Sequence, residues 1–139
     1  LGDTFRWKGE NVATTEVEGA LGHDERVDQA VVYGVDIPGT DGKAGMAAIT
    51  LADDASFDGK ALAATAYQRL PLYAVPLYVR VVAELEQTST FKSRKVELRN
   101  QGYAPDADGQ LYVLSGPTDG YIPAYDGYAD DVAAGRAPR

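Results

Sequence analysis

Apolar and polar residues alternate almost from the first position. Phe5 and Trp7 are interleaved with Arg6 and Lys8, the period of two that gives a strand one apolar and one basic face. Gly9, Glu10 and Asn11 then predict a tight turn, because Gly and Asn tolerate positive φ. Thr15 with Glu18 three residues later has the form of a capping box, so a helix is expected from Thr15. That helix would carry Val17, Ala20 and Leu21 on one side and stop at Gly22. The β-branched stretch Val27 to Ile37, the turn cluster Pro38-Gly39-Thr40-Asp41-Gly42 and the run Met46 to Leu51 predict a hairpin with a longer loop.

Helical spacing returns in the alanine-rich stretch Asp58 to Leu70, with Leu62, Ala63, Ala66, Tyr67 and Leu70 on one face. Pro71 ends it, since the residue before a proline resists the helical region. Pro71 and Pro76 bracket an extended connector, and Leu77 to Leu85 reads as a strand with Val79 and Val81 opposite Tyr78, Arg80 and Val82. Thr88-Ser89-Thr90-Phe91-Lys92 has no apolar period and is expected to be a loop; Ser93 would cap a short helix through Asn100, ended by Gly102. Tyr103, Tyr112, Tyr121, Tyr125 and Tyr128 then recur among glycine, proline and aspartate. This predicts an irregular segment pinned by its rings, frayed over residues 129–139. The elements together predict an α+β domain, with a small mixed β-sheet, an N-terminal two-stranded hairpin and about three flanking helices.

Composition narrows the chemistry. The 139 residues are one domain's worth. The first residue is Leu1 and no charged-then-apolar leader follows, so the chain is expected to be an excised piece without a signal peptide. No apolar run approaches the roughly 20 residues that cross a bilayer. The absence of cysteine excludes disulfides and thiolate zinc, and fits a cytoplasmic setting. A net charge of -8 argues against a nucleic-acid partner, which needs a basic patch. His23 is the single histidine and is expected to be a turn residue, because nothing is present to complete a metal or nucleophile site with it. Asp53, Asp54 and Asp58 lack the spacing of a calcium loop. With no Ser-His-Asp set, no paired metal ligands and no phosphate-cradling glycine loop, no metal site is expected. Two features remain: Lys92 in a hydroxyl-rich loop, and the basic hairpin tipped by Gly9. By themselves they point no further than phosphate or carboxylate binding.

Phe5-Arg6-Trp7-Lys8-Gly9-Glu10-Asn11-Val12 resembles the eighth core motif of the acyl-adenylate-forming superfamily, in the wording of the fatty-acid transport protein and very-long-chain acyl-CoA synthetase branch. The likeness runs from Leu1 to about Tyr128 and makes residues 1–128 the mobile C-terminal domain of such an enzyme, without its N-terminal adenylation domain. Thr88-Ser89-Thr90-Phe91-Lys92 resembles the tenth core motif, with Phe91 where most members have glycine and Glu86 where many have proline. The resemblance implies that Lys92 contacts the substrate carboxylate and the ATP α-phosphate during adenylation. A compact ammonium suits that task, because two anions must meet while charge builds at phosphorus.

By the same resemblance the hairpin serves thioester formation. Gly9, with Arg6, Lys8 and Glu10 around it, would line the channel for the pantetheine arm of CoA, and Arg6 and Lys8 would face CoA phosphates or the larger domain. Gly2 and Asp3 fall at the hinge. ATP, Mg2+ and CoA are the implied cofactors, bound mostly by the N-terminal domain. Fatty acid and CoA are the implied substrates, and the N-terminal domain is the implied partner. The setting leaves room for peripheral membrane association of the intact enzyme. Two other readings stand beside this one: an adenylating domain acting with a carrier-protein acceptor, and a non-catalytic binding module of the same fold.

Overall fold

The computed structural model describes residues 4–85, 94–105, 107 and 109–138. In chain order the elements are β1 (Thr4–Trp7), β2 (Glu10–Ala13), α1 (Thr14–Leu21), β3 (Val27–Asp36), β4 (Lys43–Leu51), α2 (Gly59–Arg69), β5 (Tyr78–Val81), α3 (Arg94–Gln101), β6 (Gln110–Gly116), β7 (Gly120–Pro123) and α4 (Tyr128–Ala133). β1 and β2 form a separate antiparallel hairpin. The other strands make one sheet in the order β3-β4-β5-β6-β7, parallel between β4 and β5 and antiparallel elsewhere. This is the mixed α+β architecture that the sequence predicts.

The sheet is covered on both faces, and its inner strands show it. β4 is buried from Ala44 to Thr50 and β5 from Tyr78 to Arg80, without the alternation of a half-exposed strand. The helix over α2 forms as expected, with Asp58 accepting the Ala61 N–H at 3.0 Å and Leu62, Ala63 and Ala66 in the core.

Several expectations are corrected. α1 starts from Ala13 with no side-chain cap. Glu18, which was to close the capping box, instead accepts the Val32 N–H of edge strand β3 at 2.9 Å. A carboxylate covering an open amide on a sheet edge outweighs a local cap. Leu72–Ala74 is a 3-10 turn rather than an extended connector, and β5 is shorter than the predicted run to Leu85. The tyrosine-rich segment is not irregular, since β6 and β7 complete the sheet. Its rings do pin it, as predicted: Tyr121 donates to the Pro76 carbonyl and Tyr128 to that of Leu114, each at 2.7 Å. Residues past Ala129 were expected to fray, yet α4 runs to Ala133 and buries Val132.

Candidate functional site

The hairpin is built from two opposite treatments of glycine. At its tip, Trp7 pairs with Glu10, which leaves Lys8 and Gly9 as a two-residue turn with φ of 53° and 81°. Both angles are left-handed, as the tightest hairpin turn requires. The predicted turn over Gly9-Glu10-Asn11 is therefore displaced, and Glu10 and Asn11 lie in β2. A Cβ placed on Gly9 would meet no atom within 4 Å. Arg6 braces this turn from below: Nη2 donates to the Gly9 carbonyl at 2.7 Å and Nη1 to Asn11 Oδ1 at 3.0 Å. Lys8 Nζ lies 5.7 Å from the centre of the Trp7 ring, within cation–π reach. Glu10 is exposed on the returning strand.

At the base the hairpin is seated in the sheet. Phe5 and Trp7 are buried. A Cβ on Gly34 would come within 3.0 Å of the Phe5 ring, and one on Gly45 within 3.3 Å, so two glycines form the floor on which Phe5 rests. Trp7 makes an isolated bridge to Gly42. Gly42 has φ of 80°, and a Cβ there would run into the Arg6 carbonyl oxygen.

Beside the hairpin opens a cleft of about 780 Å³, with Thr4 and Phe5 on one side and Lys95 and Arg99 of α3 on the other. Lys43 and Asp36 form its corner, bonded at 2.7 Å. Tyr103, also on the wall, donates its hydroxyl to the Asp36 carbonyl at 2.8 Å. Burial, with the charges of Asp36 and Asp130 adding, raises the Tyr103 pKa and keeps it a donor. Among the described residues that line the cleft, three cations stand against one carboxylate, a local balance opposite in sign to the chain as a whole. The strand that opens the hairpin and the helix that follows the lysine motif thus meet across one cleft.

Lys92 lies two residues before α3, outside the described residues, as do Gly2 and Asp3. His23 is an exposed turn residue, as expected. Among the described residues no group of three or more His, Cys, Asp or Glu could hold a metal ion, and no helix is long and apolar enough to cross a membrane. The residue that sequence reasoning passed over is Arg80. It is fully buried in β5, and its Nη2 donates to the carbonyls of Gly102 at 3.0 Å and Ala104 at 2.8 Å. A lone arginine inside Val79-Arg80-Val81-Val82 was the available signal.

Comparison with known proteins identifies the family of the chain. Residues 16–92 match the sequence profile of the AMP-binding enzyme C-terminal domain. Over its whole length the chain is 63% identical to the medium/long-chain-fatty-acid–CoA ligase FadD6 of Mycobacterium tuberculosis, covering 23% of that protein. It is 44% identical over 124 residues to mouse long-chain fatty acid transport protein 6, covering 88% of this chain and 20% of that protein. The chain therefore spans about a fifth of the length of these curated relatives. Among solved structures, the amide bond synthetase McbA of Marinactinospora thermotolerans matches with a TM-score of 0.63 and 32% identity, over 72% of this chain and 20% of that one. An o-succinylbenzoate CoA synthetase of Bacillus subtilis, bound with a product analogue, matches with a TM-score of 0.58 and 28% identity, over 77% and 20%.

Proposed function

The chain belongs to the AMP-binding enzyme C-terminal domain family, and we propose that it is the mobile domain of an AMP-forming ligase joining long-chain or very-long-chain fatty acids to CoA. The observation that carries the reading is the 63% identity to a fatty-acid–CoA ligase along all 139 residues. In the intact enzyme the fatty-acid carboxylate attacks the α-phosphorus of ATP, and pyrophosphate leaves. The CoA thiolate then attacks the acyl carbonyl, and AMP leaves. Most contacts to adenine and to Mg2+ are assigned to the N-terminal part.

Lys92 is assigned to the first step. Its ammonium would lie between carboxylate and α-phosphate and offset their repulsion. The Gly9 turn is assigned to the second. Its fit to a chain threaded along the backbone is supported by the open space where a Cβ would stand. Lys8, Arg6 and Glu10 flank that path, with Arg6 acting through its hold on the Gly9 carbonyl. Exchange between the two steps is assigned to rotation about Gly2 and Asp3.

The test uses the full-length enzyme, with acyl-AMP formation and acyl transfer assayed separately. Lys92→Ala is expected to lower acyl-AMP formation by about 10²–10³-fold and to spare transfer from supplied acyl-AMP. Gly9→Leu is expected to do the reverse. If neither variant affects either step, the domain is a binding module of this fold.

A further inference from the structure

We propose that Glu18 guards the open edge of the five-stranded sheet: its carboxylate occupies the Val32 amide and keeps β3 from pairing with β3 of a second copy of the chain. The inference stands apart from the two-step reading, and neither half-reaction is its readout. Among the described residues, the sheet order β3-β4-β5-β6-β7 leaves β3 and β7 at the edges. An edge strand offers its N–H and C=O groups to any strand that arrives, unless something is set against them.

The two edges are treated differently. Against β7 lies the start of α2: a Cβ on Gly59 would strike the Tyr121 carbonyl, and one on Gly120 would strike the carbonyl of Gly59. A helix that close leaves no room for another strand. β3 is the longer edge, ten residues against four, and it is protected piecemeal. Near its start the pairing with β4 shifts between Val27 and Gln29, a bulge that bends the strand end. Toward its finish the hairpin packs on it, with the Phe5 ring against Gly34. Between them lie Ala30 and Val31, apolar and only half-buried, beside a cavity of about 350 Å³ that they share with Gln29 and Leu85.

Glu18 serves this middle stretch. It reaches over from α1, half-buried, and its Oε2 accepts the Val32 N–H at 2.9 Å. The helix start gains nothing from it, because α1 begins from Ala13 with no side-chain cap. Backbone groups of an antiparallel strand turn alternately to its two sides, so Ala30 and Gly34 present theirs on the side of Val32, away from β4. A two-fold pairing of β3 with its copy would run through these residues and would use the Val32 N–H as a donor. With the carboxylate in place an arriving strand meets a charge where it needs a donor. Two copies would also bring two carboxylates into one contact, where like charges repel.

The test is made in the full-length enzyme, by light scattering behind size exclusion over a range of protein concentrations. Glu18→Ala opens the edge and is expected to add a concentration-dependent association that brings the mass to about twice that of the parent. Glu18→Gln keeps a carbonyl oxygen as acceptor and should behave as the parent. Glu18→Ala combined with Ala30→Pro loses a donor on the open side, where an edge strand tolerates proline, and should return to the parent's mass. If Glu18→Ala does not fold, Glu18→Asp, one methylene shorter, carries the test, with the same suppression by Ala30→Pro. Hydrogen exchange at the Val32 amide should rise in the opened variants. A mass unchanged at every concentration overturns the proposal, as does association that persists with Ala30→Pro or appears equally in Glu18→Gln.

Discussion

Gly9 and Gly42 belong to the same structural unit, the tip and the seat of one hairpin, and share nearly the same backbone angle, φ of 81° and 80°. Their surroundings are opposite. A Cβ on Gly42 collides with the Arg6 carbonyl oxygen, whereas a Cβ on Gly9 meets nothing. The fold itself requires a glycine at Gly42, because another strand's backbone occupies the space. At Gly9 the domain needs only a turn residue, and the volume beside it is open. A glycine held by a close backbone contact and one held by its backbone angle alone can thus be told apart by what a methyl group would strike.

The difference can be broken or sharpened by substitution. The largest effect is expected at the seat: Gly42→Ala combines a strained angle with a backbone clash and should cost about 2–4 kcal/mol. Thermal unfolding should record this as a loss of roughly 10 °C in Tm; an unchanged Tm would mean that Gly42 does not hold the hairpin. Gly9→Ala carries only the angle and should cost about 1 kcal/mol. In the full-length enzyme it should slow acyl transfer to CoA and leave acyl-AMP formation unchanged; a loss in Tm matching that of Gly42→Ala would erase the distinction. The smallest effect is expected for Arg6→Ala, which removes the two exposed hydrogen bonds bracing the tip, worth about 0.5–1 kcal/mol. Its signature is a weaker KM for CoA with Tm nearly unchanged, and an unaltered KM would confine Arg6 to a solvated strand face.

The hairpin was legible because Phe5-Arg6-Trp7 alternates cleanly and both apolar rings are buried where alternation puts them. Its turn was misplaced because Lys8, an ordinary side chain, accepts a left-handed angle beside Gly9. The capping box was misread for a different reason. The partner of Glu18 is Val32, fourteen positions away and on another element, and no local pattern announces it. β6 and β7 were hidden by their own turn formers. Gly116 and Gly120 lie within the pairing as strand residues, and the apolar run Leu111 to Leu114 between glycine-rich flanks was the stronger signal. Arg80 looked like one polar position in a strand, and only the folded turn after α3 supplies the carbonyls that explain it. Gly9 and Lys92 stood out for chemistry by resemblance to a family; periodicity placed them no further than a turn and a polar loop.

The chain contains a single tryptophan, and the fold puts it at the hairpin's seat: Trp7 is 5% exposed, bridged to Gly42, with the Lys8 ammonium 5.7 Å from its ring. The indole emission of this domain therefore reports on one location. Unseating the hairpin would wet the ring and shift its fluorescence to the red. The element assigned to the second half-reaction carries its own optical label, and its docking can be followed without attaching a dye.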